Sequence, residues 1–68
     1  MNGTIQINGA KEPLAARTVA ELLAQKAIAE RRGVAVALNG QIVLRKAWSE
    51  THLKAGDSIE IVHARQGG

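Results

Sequence analysis

The side chains of this sequence offer little to a reaction, and its last residues offer the most. With 0 Cys and 2 His among 68 residues, no thiolate is available as nucleophile or metal ligand. His52 and His63 do not stand at a ligand spacing such as i, i+4, so no metal site is expected. The chain finishes on Gly67-Gly68. Without Cβ atoms these two make a narrow stretch of backbone that can thread a channel closed to any side chain. The group it would deliver is the α-carboxylate of Gly68. Fully extended, residues 64–68 reach about 17 Å at about 3.4 Å per residue, so a partner's active site could close on the end while the body of the protein docks outside. A frayed terminus would show the same two letters. What favours a working end is the strand pattern that leads into it.

Composition narrows the classes further. A chain of 68 residues is one small domain, and a pocket of several hundred Å3 is hard to enclose at this size. A self-contained enzyme is therefore not expected. Hydrophobic residues at 46% and charged ones at 22% are a globular balance rather than a disordered one. No apolar run of ~18 residues could span a membrane, and Met1-Asn2-Gly3-Thr4 lacks the charged start of an export signal; a cytoplasmic protein without membrane association is expected. The net charge of +3 raises the question of nucleic acid. Lys11, Arg17, Lys26, Arg31, Arg32, Arg45, Lys46, Lys54 and Arg65 are scattered rather than clustered. With no Phe, no Tyr and one Trp, the stacking platform of sheet-based single-strand binders is missing, so nucleic acid is not an expected partner.

The elements that must carry such a tail can be read from periodicity. Thr4 to Asn8 alternates with Ile5 and Ile7 inward, and Asn8-Gly9 is a type I′ hairpin signal. A second strand runs to about Leu14, at an edge or short there, because Pro13 cannot donate to a ladder. Thr18 to Glu21 reads as a reciprocal capping box opening a helix with Val19, Leu22 and Leu23 on its buried face. Ile28 falls off that face, so the helix ends near Lys26 or Ala27 and Ile28 folds back onto the core. Val34 to Leu38 is a strand, Asn39-Gly40 a second hairpin turn and Gln41 to Leu44 the return. A short helical turn is expected near Trp48-Ser49-Glu50, a tight turn at Ala55-Gly56-Asp57, and a last strand over Ser58 to His63 with Ile59 and Ile61 inward. The expected architecture is α+β: a mixed sheet of about five strands on one helix, of the β-grasp type, with residues 1–63 as the domain and 64–68 as a flexible tail.

Within this frame the chain resembles the sulfur carrier proteins of thiamine biosynthesis. The resemblance rests on Thr18-Val19-Ala20-Glu21-Leu22-Leu23, the run Val36 to Val43 with its Asn39-Gly40 turn, Arg45, Trp48, Leu53, Gly56-Asp57, Ile59-Glu60-Ile61-Val62 and Gln66-Gly67-Gly68. It implies a ubiquitin-like β-grasp fold and a non-enzymatic role. An E1-like adenylyltransferase would use ATP and magnesium to adenylate the Gly68 carboxylate. A sulfur donor fed by a cysteine desulfurase would turn the adenylate into a thiocarboxylate, and thiazole synthase would take the sulfur. The carrier itself would hold no cofactor. Gly68 would be the modified residue, and Gln66, Gly67 and Gly68 the segment that enters the partners' active sites. Two departures stand out: many relatives carry Pro where this chain has Leu44, and many have an apolar residue at Arg65 and are acidic overall.

The remaining candidates are contacts. Glu60 and Val62 point away from the inward isoleucines, and with Arg65 they are the candidate partner contacts beside the tail. Val62 among Ala35 and Ala37 would form an apolar strip for docking, or the alanines are ordinary exposed residues. Trp48 is expected to pack beside Leu53 rather than meet a partner. Arg45 would pair with Glu50, with Asp57 or with an acid of a partner. Rival readings are a sulfur carrier of another pathway, such as molybdopterin synthesis or transfer-RNA thiolation, a ubiquitin-like protein modifier, and a small RNA-binding module.

Overall fold

The computed structural model describes residues 3–29 and 32–63. Five strands, β1 (Thr4–Ile7), β2 (Ala10–Pro13), β3 (Val34–Leu38), β4 (Gln41–Val43) and β5 (Ser58–His63), form one sheet in the order β2-β1-β5-β3-β4. β1 and β5 run parallel and the other neighbours antiparallel, which is the mixed sheet expected from the pattern. Pro13 ends the edge strand β2.

Both hairpins turn on Asn-Gly. Asn8 and Asn39 have φ of 53° and 52°, followed by Gly9 and Gly40 at 85° each, the left-handed pair a type I′ turn requires. That geometry ends β1 at Ile7 rather than at Asn8. The other strands that leave these turns also finish one residue earlier than expected, at Pro13 and Val43.

The helix α1 (Val19–Gln25) is too short to persist alone in water. It holds because Val19, Leu22 and Leu23 are buried with Ile5, Ile7, Val36, Ile59 and Ile61, each such side chain contributing about 1.5–3 kcal/mol. At its start the Thr18 hydroxyl accepts from the Glu21 amide at 3.1 Å, while the Glu21 carboxylate accepts from the Arg17 amide at 2.6 Å. The reciprocal bond is thus displaced by one residue, because Thr18 enters the helix from an extended bridge to His52. At its end Ala27 is left-handed with φ 61°. Ala27 N–H donates to the Ala24 carbonyl and Ile28 N–H to that of Leu23, the paired bonds of a Schellman cap, and they fold Ile28 onto the core.

Between β4 and β5 a 3-10 helix, η1 (Arg45–Glu50), begins earlier than the turn expected at Trp48. Trp48 is buried, and its Nε1 donates to the Val43 carbonyl at 3.0 Å. This is the packing role read from the sequence.

Candidate docking face and the root of the tail

Alternation along the strands separates the two faces of the sheet. Ile59 and Ile61 of β5 point to the helix, and Glu60 and Val62 point outward. Register places Ala37 between Glu60 and Ile42, and Ala35 beside Val62. Among the described residues the large apolar side chains left exposed are Ile42 at 71%, Leu44 at 59% and Val62 at 58%. All three lie at this end of the sheet, around the two alanines. The strip read from Val62, Ala35 and Ala37 is therefore broader than expected and reaches the β4 edge. Ile42 was missed, although its position second after Asn39-Gly40 marks it as outward by alternation alone. Glu60 borders the strip on the side of β1.

Arg65, Gln66, Gly67 and Gly68, the other residues singled out from the sequence, lie outside the described residues. What the structure fixes is their root. β5 is the central strand, and its last residue, His63, pairs with Val34.

Arg45 makes contacts beyond the Glu50 and Asp57 pairs expected of it. Its guanidinium lies 4.4 Å from the centre of the Trp48 ring and donates to the Ala29 carbonyl at 2.8 Å. A cation stacked on an indole face gains from the ring's negative potential, and the same group ties η1 to the loop that follows α1.

Asp57, expected from the sequence as a turn residue and a possible partner of Arg45, is the buried ionisable side chain of the described core. It is 4% exposed. One oxygen accepts from Asn39 Nδ2 at 3.1 Å and the other from the Lys54 amide at 2.9 Å. Burial works to raise its pKa, yet the Asn39 amide, the Lys54 N–H and the Lys54 ammonium together hold it below the ordinary 3.8. The carboxylate stays ionised and fixes the turn before β5 to the turn before β4, a structural task. No group of three or more His, Asp or Glu stands together as a metal site among the described residues, and no helix among them is long and apolar enough to cross a membrane.

A five-stranded mixed sheet folded over one helix, with the C-terminal strand at its centre, defines a ubiquitin-like β-grasp protein. The sequence matches the ThiS family over residues 4–68, and the chain belongs to that family. It is 36% identical over 64 residues to the sulfur carrier protein ThiS of Thermus thermophilus, covering 94% of this chain and 98% of that protein. A crystal structure of the thiamine biosynthesis protein ThiS from Geobacter metallireducens superimposes with a TM-score of 0.78 at 34% identity, over all of both chains. A solution NMR structure of a thiamine biosynthesis protein from the same organism gives 0.75 at 32% identity, over all of this chain and 88% of that one.

Proposed function

We propose that this protein is a sulfur carrier in thiamine biosynthesis, with the carboxylate of Gly68 as its working group. The observation that carries the reading is the family match, which runs through the last strand to Gln66-Gly67-Gly68. A carboxylate resists attack because resonance and charge repel nucleophiles. An E1-like adenylyltransferase with ATP and magnesium overcomes this: a Gly68 carboxylate oxygen attacks the α-phosphorus, the bond to the β-phosphate breaks, and pyrophosphate leaves. The outer sulfur of a persulfide, charged through a cysteine desulfurase, then attacks the acyl carbon as AMP departs, and a thiol reductant cleaves the S–S bond of the acyl disulfide so formed. The product is a thiocarboxylate, which thiazole synthase consumes.

None of these steps asks for a base, a metal or a cofactor on the carrier, and with 0 Cys no thiol of its own competes for the activated end. The carrier supplies a handle and a reach. The handle is the outer face, with Val62 and Ile42 as apolar contacts, Glu60 as an anionic one beside them, and Arg65 next to the tail. Exposed apolar patches rimmed by polar groups mark interaction sites. Dependence on ATP and these partner enzymes places the carrier in the cytoplasm.

The test is intact-mass analysis after incubation with the matching adenylyltransferase, ATP, magnesium and a sulfur donor. Replacement of one oxygen by sulfur at Gly68 is expected, and deletion of Gly68 abolishes it without changing the fold, since a terminal residue beyond the sheet adds little stability. An unmodified wild-type chain would sink the reading. Isopeptide adducts on lysines in cells would indicate a protein modifier instead, and activation without transfer to thiazole synthase a carrier of another pathway.

A further inference from the structure

The strand that leads into the tail is held unevenly. In the parallel pair, Gln6 N–H donates to the Asp57 carbonyl at 3.0 Å and Asn8 N–H to that of Ile59 at 2.9 Å. The next rung would bond Ile61 N–H to the Asn8 carbonyl, but Asn8 turns left-handed there and β1 leaves the sheet. Its side chain takes over. Asn8 Oδ1 accepts from Ile61 N–H at 2.8 Å, and Asn8 Nδ2 donates to the Ile61 carbonyl at 3.2 Å. On the opposite side of β5, Asn39 N–H bonds the Ser58 carbonyl. By the alternation of an antiparallel ladder, Val62 and Glu60 then make the bonds to β3, and Ile61 turns its polar groups toward β1. The Asn8 amide is thus what meets the main chain of Ile61.

We infer that Asn8 is a positioning residue for the tail: its side-chain amide extends the β1–β5 ladder by one rung and so sets the direction in which the chain leaves the sheet toward Gly68. This rests on the sulfur-carrier reading for its functional consequence, and on geometry alone for the clamp. Seven residues follow Ile61, ending at Gly68, and an anchor shifted at Ile61 shifts the point from which they must reach a partner's active site. An in-line attack tolerates little such error, and a displacement of about 1 Å can cost up to about 100-fold.

Asn39 is the internal control. It occupies the same place in an equivalent turn, and its amide likewise bonds β5, donating to Asp57 and accepting from Ser58 N–H at 2.9 Å. That contact is at the start of β5, far along the strand from the tail.

Asn8→Gly and Asn39→Gly both keep the turn, since glycine accepts its φ, and are compared with wild type at a temperature where all are folded. In pyrophosphate release by the adenylyltransferase with ATP, Asn8→Gly is expected to lower kcat by about tenfold with KM nearly unchanged, because the docking face is intact. Asn39→Gly is expected to lower the melting temperature and leave kcat alone. Amide hydrogen exchange in the free proteins should accelerate at Ile61 in Asn8→Gly only. Unchanged exchange there overturns the clamp, and this readout needs no enzyme. Faster exchange with unaltered kcat, or equal kcat losses in the two variants, overturns the positioning role. A wild-type chain that releases no pyrophosphate would defeat the sulfur-carrier reading and the positioning role with it, and leave the clamp to stand on exchange alone.

Discussion

The two hairpins are built on the same turn and then diverge position by position. After Asn8-Gly9 come Ala10, Lys11, Glu12 and Pro13; after Asn39-Gly40 come Gln41, Ile42, Val43 and Leu44. Each second residue faces outward and each third inward by the shared register. Both return strands lie at edges of the sheet, where unpaired main-chain groups invite association. The first edge is guarded. It carries a lysine outward, a Glu12–Lys26 ion pair at 3.0 Å, and a proline. The second carries Ile42 and Leu44 into solvent. One local code for turning the chain thus produces one face that repels company and another fit for it, and the difference lies in the side chains that follow the turn.

The turns differ in a second way, in what their asparagines hold. Asn8 bonds only main chain, whereas Asn39 also bonds the buried Asp57 carboxylate. The second hairpin is therefore the one whose attachment titrates. The folded pKa of Asp57 lies below the ordinary 3.8, so its contribution is fully present above about pH 4 and is lost as pH falls through the folded value. Asp57→Asn places an amide donor where Asn39 already donates. It is expected to destabilise by about 1–3 kcal/mol at neutral pH and by less at a pH below the folded value, as read from urea unfolding at the two pH values. An equal loss at both would remove the charge from the explanation.

The surface half of the comparison is broken or sharpened at the second residue after each turn. Ile42→Glu puts an anion on the apolar strip, across Ala37 from Glu60, and kcat/KM for adenylation is expected to fall by about tenfold, equivalent to about 1.4 kcal/mol, with an unchanged melting temperature. Lys11→Glu, the same change at the corresponding place in the first hairpin, should leave both unaltered. Equal sensitivity of the two positions would mean that the apolar strip is not the handle.

Much of this comparison was legible beforehand, and the limits were physical ones. Strand positions, the Pro13 edge, the helix cap at Thr18 and the return of Ile28 follow from alternation and from turn chemistry, which are local. The mixed sheet followed because a five-strand pattern with one helix leaves few ways to bury Ile5, Ile7, Ile59 and Ile61 together. Polar contacts between distant segments did not follow. Asp57 reads as a surface turn residue until Asn39 is brought to it, and Asn8 reads as a turn former until β5 passes beside it. Arg45 also stacks on the Trp48 ring and bonds the Ala29 carbonyl, contacts that only the path of the 3-10 helix brings together. The strip around Val62 was half visible: alternation exposed Val62 and the alanines, and the register of β4 shows that Ile42, outward by the same alternation, joins them.

The fourth residue after each turn offers the smallest and most discriminating change. Pro13 fits its edge because the Ile7–Ala10 and Ile5–Glu12 pairs carry the ladder bonds, leaving position 13 with its nitrogen turned outward. Leu44 is its counterpart. Its φ of −69° and ψ of 150° are those of proline, its amide points away from β3 by the same alternation, and Val43 before it is already extended, as a residue preceding proline must be. Leu44→Pro is therefore expected to stabilise the fold by about 0.4–1 kcal/mol, chiefly by restricting the unfolded chain, with a matching rise in the urea midpoint. A loss of stability would mean that the two hairpins are not equivalent at this position. The same variant removes an exposed leucine from the rim of the apolar strip. Activation that survives it confines the contact to Ile42 and Val62, and activation that falls carries the handle around the sheet edge onto the start of the 3-10 helix.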